Sequence, residues 1–135
     1  MNAEAALVAS SALEAMLPYR KLLDSALEFA GGTHLFEDIV ESVADGRMHF
    51  WPAERSCVVT EVVCYPRVRA IHIFLAAGDL AQIKDMDETF QQFGRALGAK
   101  FIALSGRKGW TKVLDDVGYK QSHVSMYKEI KDGDE

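Results

Sequence analysis

"RVRAIHIFLAAGDL", Arg67 to Leu80, is the stretch on which the fold of this chain turns. Its first part alternates. Val68, Ala70, His72 and Phe74 fall on one side of an extended chain, and Ile71, Ile73 and Leu75 on the other. Apolar residues on both sides predict a central strand covered on each face. Gly78-Asp79 then ends the alternation and opens a helical region that reaches Leu97 and stops at Gly98. "AKFIALSG", Ala99 to Gly106, follows as a short buried strand.

Working outward, "MHFWPAERSCVVTEVVCYP" (residues 48–66) alternates β-branched and aromatic residues and predicts the earlier strands. Pro52 marks an edge or a turn, and Pro66-Arg67 a second turn. The front of the chain is helical. Pro18 suits the first turn of a helix with Leu22, Leu23, Ala26, Leu27 and Ala30 on one face, ended by Gly31-Gly32. Thr33 is the expected N-cap of a second helix carrying Leu35, Phe36, Ile39, Val40 and Val43, and Gly46 breaks it. After the "AKFIALSG" strand, "GWTKVLDDVG" predicts a helix of two turns with Gly118 just past its end. "YKQSHVSMYKEI" (residues 119–130) alternates clearly and predicts a closing strand.

The expected order is α-α-β-β-β-α-β-α-β. That order predicts an α/β fold with a mixed, mostly antiparallel sheet and helices on both faces. The expected organisation is a helical arm over residues 1–17, a single domain over 18–130 and a charged tail over 131–135. Glu4 and Glu14 in the arm speak against a signal peptide.

The chain has 135 residues, 49% of them hydrophobic and 26% charged, an ordinary globular composition. Its net charge of −5 argues against a nucleic-acid binder. No apolar run approaches the 18 residues of a membrane span. Cys57 and Cys64 are seven apart, which puts them on opposite faces of one strand and unable to bridge. Both are expected to be reduced and buried, in a cytosolic compartment. His34, His49, His72 and His123 lack metal-ligand spacing, and Ser105 lacks the Gly-x-Ser-x-Gly elbow of a hydrolase.

The element order resembles the GNAT family of N-acetyltransferases, most clearly over residues 58–130 and more weakly from Pro18 onward. In that family a strand runs into a glycine-rich turn, and the following helix N-terminus binds the pyrophosphate of acetyl-coenzyme A. "IHIFLAAGDL" stands in that place, so the resemblance puts Gly78, Asp79 and Leu80 at the cofactor turn. The family's Arg/Gln-x-x-Gly-x-Gly/Ala pattern is incomplete here, with Leu75 at its basic position and Leu80 at its last small one. Asp79 would add a carboxylate where phosphates sit. Leu114 stands where the family often has a tyrosine that protonates the leaving thiolate.

The acid-base candidates are Glu54, Glu61 and Tyr127, with His72 better read as a satisfied core histidine. "SGRKGW" (residues 105–110) lies between a strand and a helix, as a phosphate loop would, but Gly106-x-x-Gly109 alone is a weak signal. Arg107, Lys108 and Trp110 read better as a turn, or as an interface in which an aromatic anchor stands beside two cations.

More narrowly, "GRMHFWP", "YPRVRAIHIFLAAGDL" and "GRKGWTKVLDDVGYK" resemble small GNAT-like proteins of tailed bacteriophages, some of them internal virion or assembly proteins. That resemblance implies a non-catalytic virion or assembly protein without a cofactor. It would act through other virion proteins or its own copies, in the host cytoplasm or the particle. The alternative is an active N-acyltransferase that uses acetyl-coenzyme A through an atypical turn.

Overall fold

The structure, a computed structural model, describes residues 3–106 and 110–133. Strands β1 (Met48–Pro52), β2 (Ser56–Cys64), β3 (Arg69–Gly78) and β4 (Ala99–Leu104) form one sheet in the order β1-β2-β3-β4. The first two pairings are antiparallel, and β3 pairs β4 in parallel. Each antiparallel pair is a hairpin closed by backbone bonds, Ala53 N–H to the Ser56 carbonyl and Tyr65 N–H to the Val68 carbonyl, both 2.8 Å. A parallel pair needs a longer crossover, and two helices supply it. These are α4 (Leu80–Asp85) and α5 (Asp87–Leu97). The helix expected to run from Gly78 to Leu97 thus breaks at Met86, where Asp87 and Glu88 open a new first turn that suits acidic residues.

Each face of the sheet carries its own apolar cluster. On one face α2 (Arg20–Glu28) and α3 (Phe36–Ala44) bring Leu23, Leu27, Phe36 and Ile39 against Cys57, Val59 and Leu75. On the other, α4 and α5 bring Ile83 and Phe90 against Val58 and Ile73, with Trp51, Ile102, Leu104 and Tyr119 around them. Fully burying one such side chain stabilises the fold by about 1.5–3 kcal/mol. The register shifts once in the β3–β4 ladder, at Lys100, and once in the β2–β3 ladder. Thr60 pairs with Ile73 but Val59 with Leu75, so Phe74 is an extra residue, and both Phe74 and Leu75 pack on the α2–α3 face.

α1 (Ala3–Met16) rests on α3 and buries only Met16. A 3-10 turn, Leu17–Tyr19, holds Pro18 in its first turn and leads into α2. Thr33 is not the cap of α3. Its hydroxyl bonds back to the Ala30 carbonyl at 3.4 Å, and Leu35 takes the N-cap place, donating its N–H to Asp38 Oδ2 at 2.8 Å. Cys57 is buried as expected, whereas Cys64, at the end of β2, is exposed.

The last quarter departs most from expectation. The helix after β4 is one short turn, α6 (Trp110–Val113), followed by a 3-10 turn, Asp115–Val117. Gly118 leaves it in the left-handed region, φ 92°. Residues 119–132 then form neither helix nor strand, so the closing strand is absent. Val124, Met126, Tyr127 and Ile130 are 72–98% exposed. Alternation makes a segment fit for a sheet, but a strand exists only where a neighbour takes its backbone hydrogen bonds.

Candidate functional site

The turn after β3 brings Gly78, Asp79 and Leu80 together and closes it against the β1–β2 hairpin. Gly78 has φ 105°, and a Cβ there would lie 2.2 Å from the Arg55 carbonyl oxygen. That close approach lets the Asp79 N–H donate to the same oxygen at 3.2 Å. The Asp79 carboxylate caps α4 by accepting the Ala81 N–H at 2.9 Å. It also accepts from Arg55 Nε and Nη2, at 3.2 and 3.0 Å. The Arg55 guanidinium above all, and then the backbone donors of Ala81 and Gln82, hold this carboxyl below its usual range. Gln82 Oε1 accepts from the Arg55 N–H and from Ser56 Oγ, both at 2.8 Å.

The residues present do not fit a coenzyme pyrophosphate. Two N–H groups of the turn are engaged by the chain itself, and a carboxylate stands at the six-residue α4 where the phosphates would meet it.

Beside this turn the sheet opens. The β3–β4 ladder ends at Ile73 opposite Leu104, while β3 runs on to Gly78. The carboxyl ends of parallel strands are where open α/β sheets take ligands. Here side chains fill the opening. Ile73, Ala76, Ile83, Phe90, Leu104, Trp110, Leu114 and Tyr119 leave a cavity of about 20 Å³. That volume admits a water molecule, not an acyl chain. Trp110 closes over Gly106, where a Cβ would come within 2.9 Å of the indole. Asp87 also lines this cavity, and its Oδ1 is buried without a hydrogen-bond partner among the described residues. Burial, and then the Asp87 charge, push the Tyr119 phenol up to about 12.

No family model matches the sequence, and no curated protein matches it. Solved structures match in shape. An aminoglycoside acetyltransferase from an uncultured soil metagenomic sample, solved in complex with sisomicin, superposes with a TM-score of 0.62 at 12% identity, covering 88% of this chain and 90% of that one. A Trypanosoma brucei acetyltransferase gives 0.53 at 13% identity, covering 82% and 94%. Glucosamine-6-phosphate N-acetyltransferase from Arabidopsis thaliana gives 0.51 at 11%, covering 80% and 90%. The fold is GNAT-like. At such identities the likeness is one of fold alone.

Within this GNAT-like fold the acid-base candidates lie apart. Glu54 is in the β1–β2 turn, its side chain 80% exposed and 3.7 Å from Arg55. Tyr127 is on the exposed C-terminal segment. Glu61 stands opposite His72 in the β2–β3 ladder, and Glu61 Oε1 lies 2.9 Å from His72 Nδ1. His72 is therefore satisfied by a carboxylate, but half-exposed rather than in the core. A histidine one strand from a glutamate is a signal that pairing register alone reveals. Arg107 and Lys108 lie outside the described residues, and Trp110 is half-buried in the wall of the cavity. Among the described residues no cluster of histidine, cysteine or carboxylate side chains is placed to hold a metal, and no helix is long and apolar enough to cross a membrane.

Proposed function

We propose that this chain uses a GNAT-like fold as a scaffold for protein–protein contacts and not for acetyl transfer. The observation that carries this reading is the self-sealed turn at Gly78–Asp79, where Arg55 occupies the carboxylate and the hairpin carbonyl occupies the backbone. The cavity beside it is side-chain filled, which supports the same reading.

A contact surface is available elsewhere. α1 and α3 enclose a groove of about 970 Å³ with Val8, Leu13, Leu17, Phe36 and Val40 in its lining. Glu4, Glu37, Glu41 and Asp45 also line it. Arg20 lines it too and pairs with Glu37 at 3.1 Å, and Asp45 pairs with Arg47 at 3.0 Å, so Glu4 and Glu41 are the acidic groups left to favour an apolar segment with a basic flank. The likeness of its motifs to small phage proteins points this role towards virion assembly, with other virion proteins as partners.

The alternative is an N-acyltransferase using acetyl-coenzyme A. The Glu61–His72 pair favours it, since a carboxylate that orients an imidazole is a usable proton acceptor.

Thermal unfolding with and without millimolar acetyl-coenzyme A decides between the two. The scaffold reading expects an unchanged midpoint. Binding at 100 times the dissociation constant would add about 2.7 kcal/mol and raise the midpoint by several degrees, and that result would overturn the reading.

A further inference from the structure

The sheet has two edges of different character. The β1 edge ends in Pro52, a residue that discourages further pairing. β4 presents its outer edge with no partner strand among the described residues, carries no proline and has one charged residue, Lys100. Ile102 and Leu104 reach the α4–α5 cluster but stay partly exposed, and Phe101 on the opposite face is 47% exposed, stacked only on Tyr65. Fourteen residues beyond β4, the same chain offers an alternating apolar segment with no place to go. Tyr119 is docked, its N–H on the Leu114 carbonyl at 3.2 Å, and every side chain from Lys120 to Asp132 is exposed.

We infer that residues 124–129 of one copy form a strand on the β4 edge of a second copy, and that the exchange is reciprocal about a two-fold axis. The pattern fits antiparallel pairing in a single register. Setting Val124 opposite Leu104 also sets Met126 opposite Ile102 and Tyr127 opposite Phe101, so three apolar pairs coincide with the correct faces. At its far end this register places Lys128 opposite Lys100, both exposed, where water and salt screen the repulsion. Within one copy the segment stands away from its own β4 edge, with Met126, Tyr127 and Ile130 at least 90% exposed. A second copy supplies at once the neighbour the segment lacks and the cover the edge lacks. This inference is independent of whether the Gly78 turn binds a coenzyme.

Light scattering during size-exclusion chromatography at about 100 μM, with the wild type and Met126→Pro, tests it. Proline removes a ladder donor and an apolar side chain from the segment while touching nothing in the core. The wild type is expected at twice the 15.0 kDa chain mass. M126P is expected at the single-chain mass, with the helical circular dichroism retained. A truncation after Lys120 should behave the same way, and it decides the matter if M126P misfolds. A monomeric wild type would overturn the inference, including the case in which the segment pairs with its own β4. A dimer that survives the loss of the segment would overturn it too.

Discussion

β2 and residues 119–130 have similar alternation but opposite surroundings. β2 lies between β1 and β3, and Ser56, Cys57, Val58, Val59 and Thr60 are fully buried. Its two buried hydroxyls are both answered: Thr60 Oγ1 accepts the Trp51 indole N–H at 2.9 Å, and Ser56 Oγ donates to Gln82 Oε1 at 2.8 Å. Beyond Tyr119 the C-terminal segment has no neighbouring strand among the described residues, and Val124, Met126, Tyr127 and Ile130 face solvent. Local pattern is the same in kind, so what separates the two is supply of a partner. β2 receives both of its partners through short hairpins, which cost little chain entropy to close. Nothing so local delivers a partner to residue 119 onward.

The sharpest test of that contrast is truncation of one apolar side chain in each region. Phe90→Ala removes a ring that is 2% exposed and packs edge-on against Trp51 at 5.4 Å. It should cost about 3–5 kcal/mol and lower the thermal midpoint by roughly 10 °C or more. Ile130→Ala, at a residue 98% exposed, should stay within about 0.5 kcal/mol in dilute protein. Equal losses in both variants would show that the segment packs in the monomer.

A second contrast lies between two glycines, Gly78 after β3 and Gly106 after β4, where each abuts another group. At Gly78 the obstacle is backbone, and φ is 105°. At Gly106 it is the Trp110 ring, which can turn aside. Gly78→Ala should therefore destabilise by about 1–3 kcal/mol in denaturant titration, and Gly106→Ala by less. A reversed order would mean that the Arg55–Asp79 seal is looser than its hydrogen bonds imply.

The sheet, its two covered faces and the crossover at Gly78 were legible from periodicity, because side-chain alternation and the glycine stop are local properties. The bulge at Phe74 was not. It depends on which residue of β2 stands opposite, as does the Glu61–His72 contact. Thr33 misled because its hydroxyl bonds back to Ala30 in the turn after α2 rather than capping the helix that follows. The Gly78 turn was half legible. Asp79 announced a capped helix, but the Arg55 pair comes from a hairpin 24 residues earlier in the chain. The Cys64 and closing-strand expectations failed for one reason: alternation states which face a residue takes, not whether anything covers that face.

The smallest expected effect sits at the joint between the two regions, Tyr119. Its phenol is pushed up to about 12, first by burial beside the α4–α5 cluster and then by the Asp87 charge. In an unfolded chain a tyrosine ionises near 10. The folded state thus favours the neutral phenol, and the stability this contributes is intact below about pH 10 and declines as pH rises towards 12. The measurement is phenolate absorbance of the wild type minus that of Tyr119→Phe, which isolates one of the four tyrosines. The difference curve should have its midpoint near 12. Asp87→Asn should move it down only partly, because burial is the larger cause. A midpoint near 10 in the wild type would place Tyr119 in water with the rest of the segment, and the boundary between the packed and the unpaired region would then fall before Gly118.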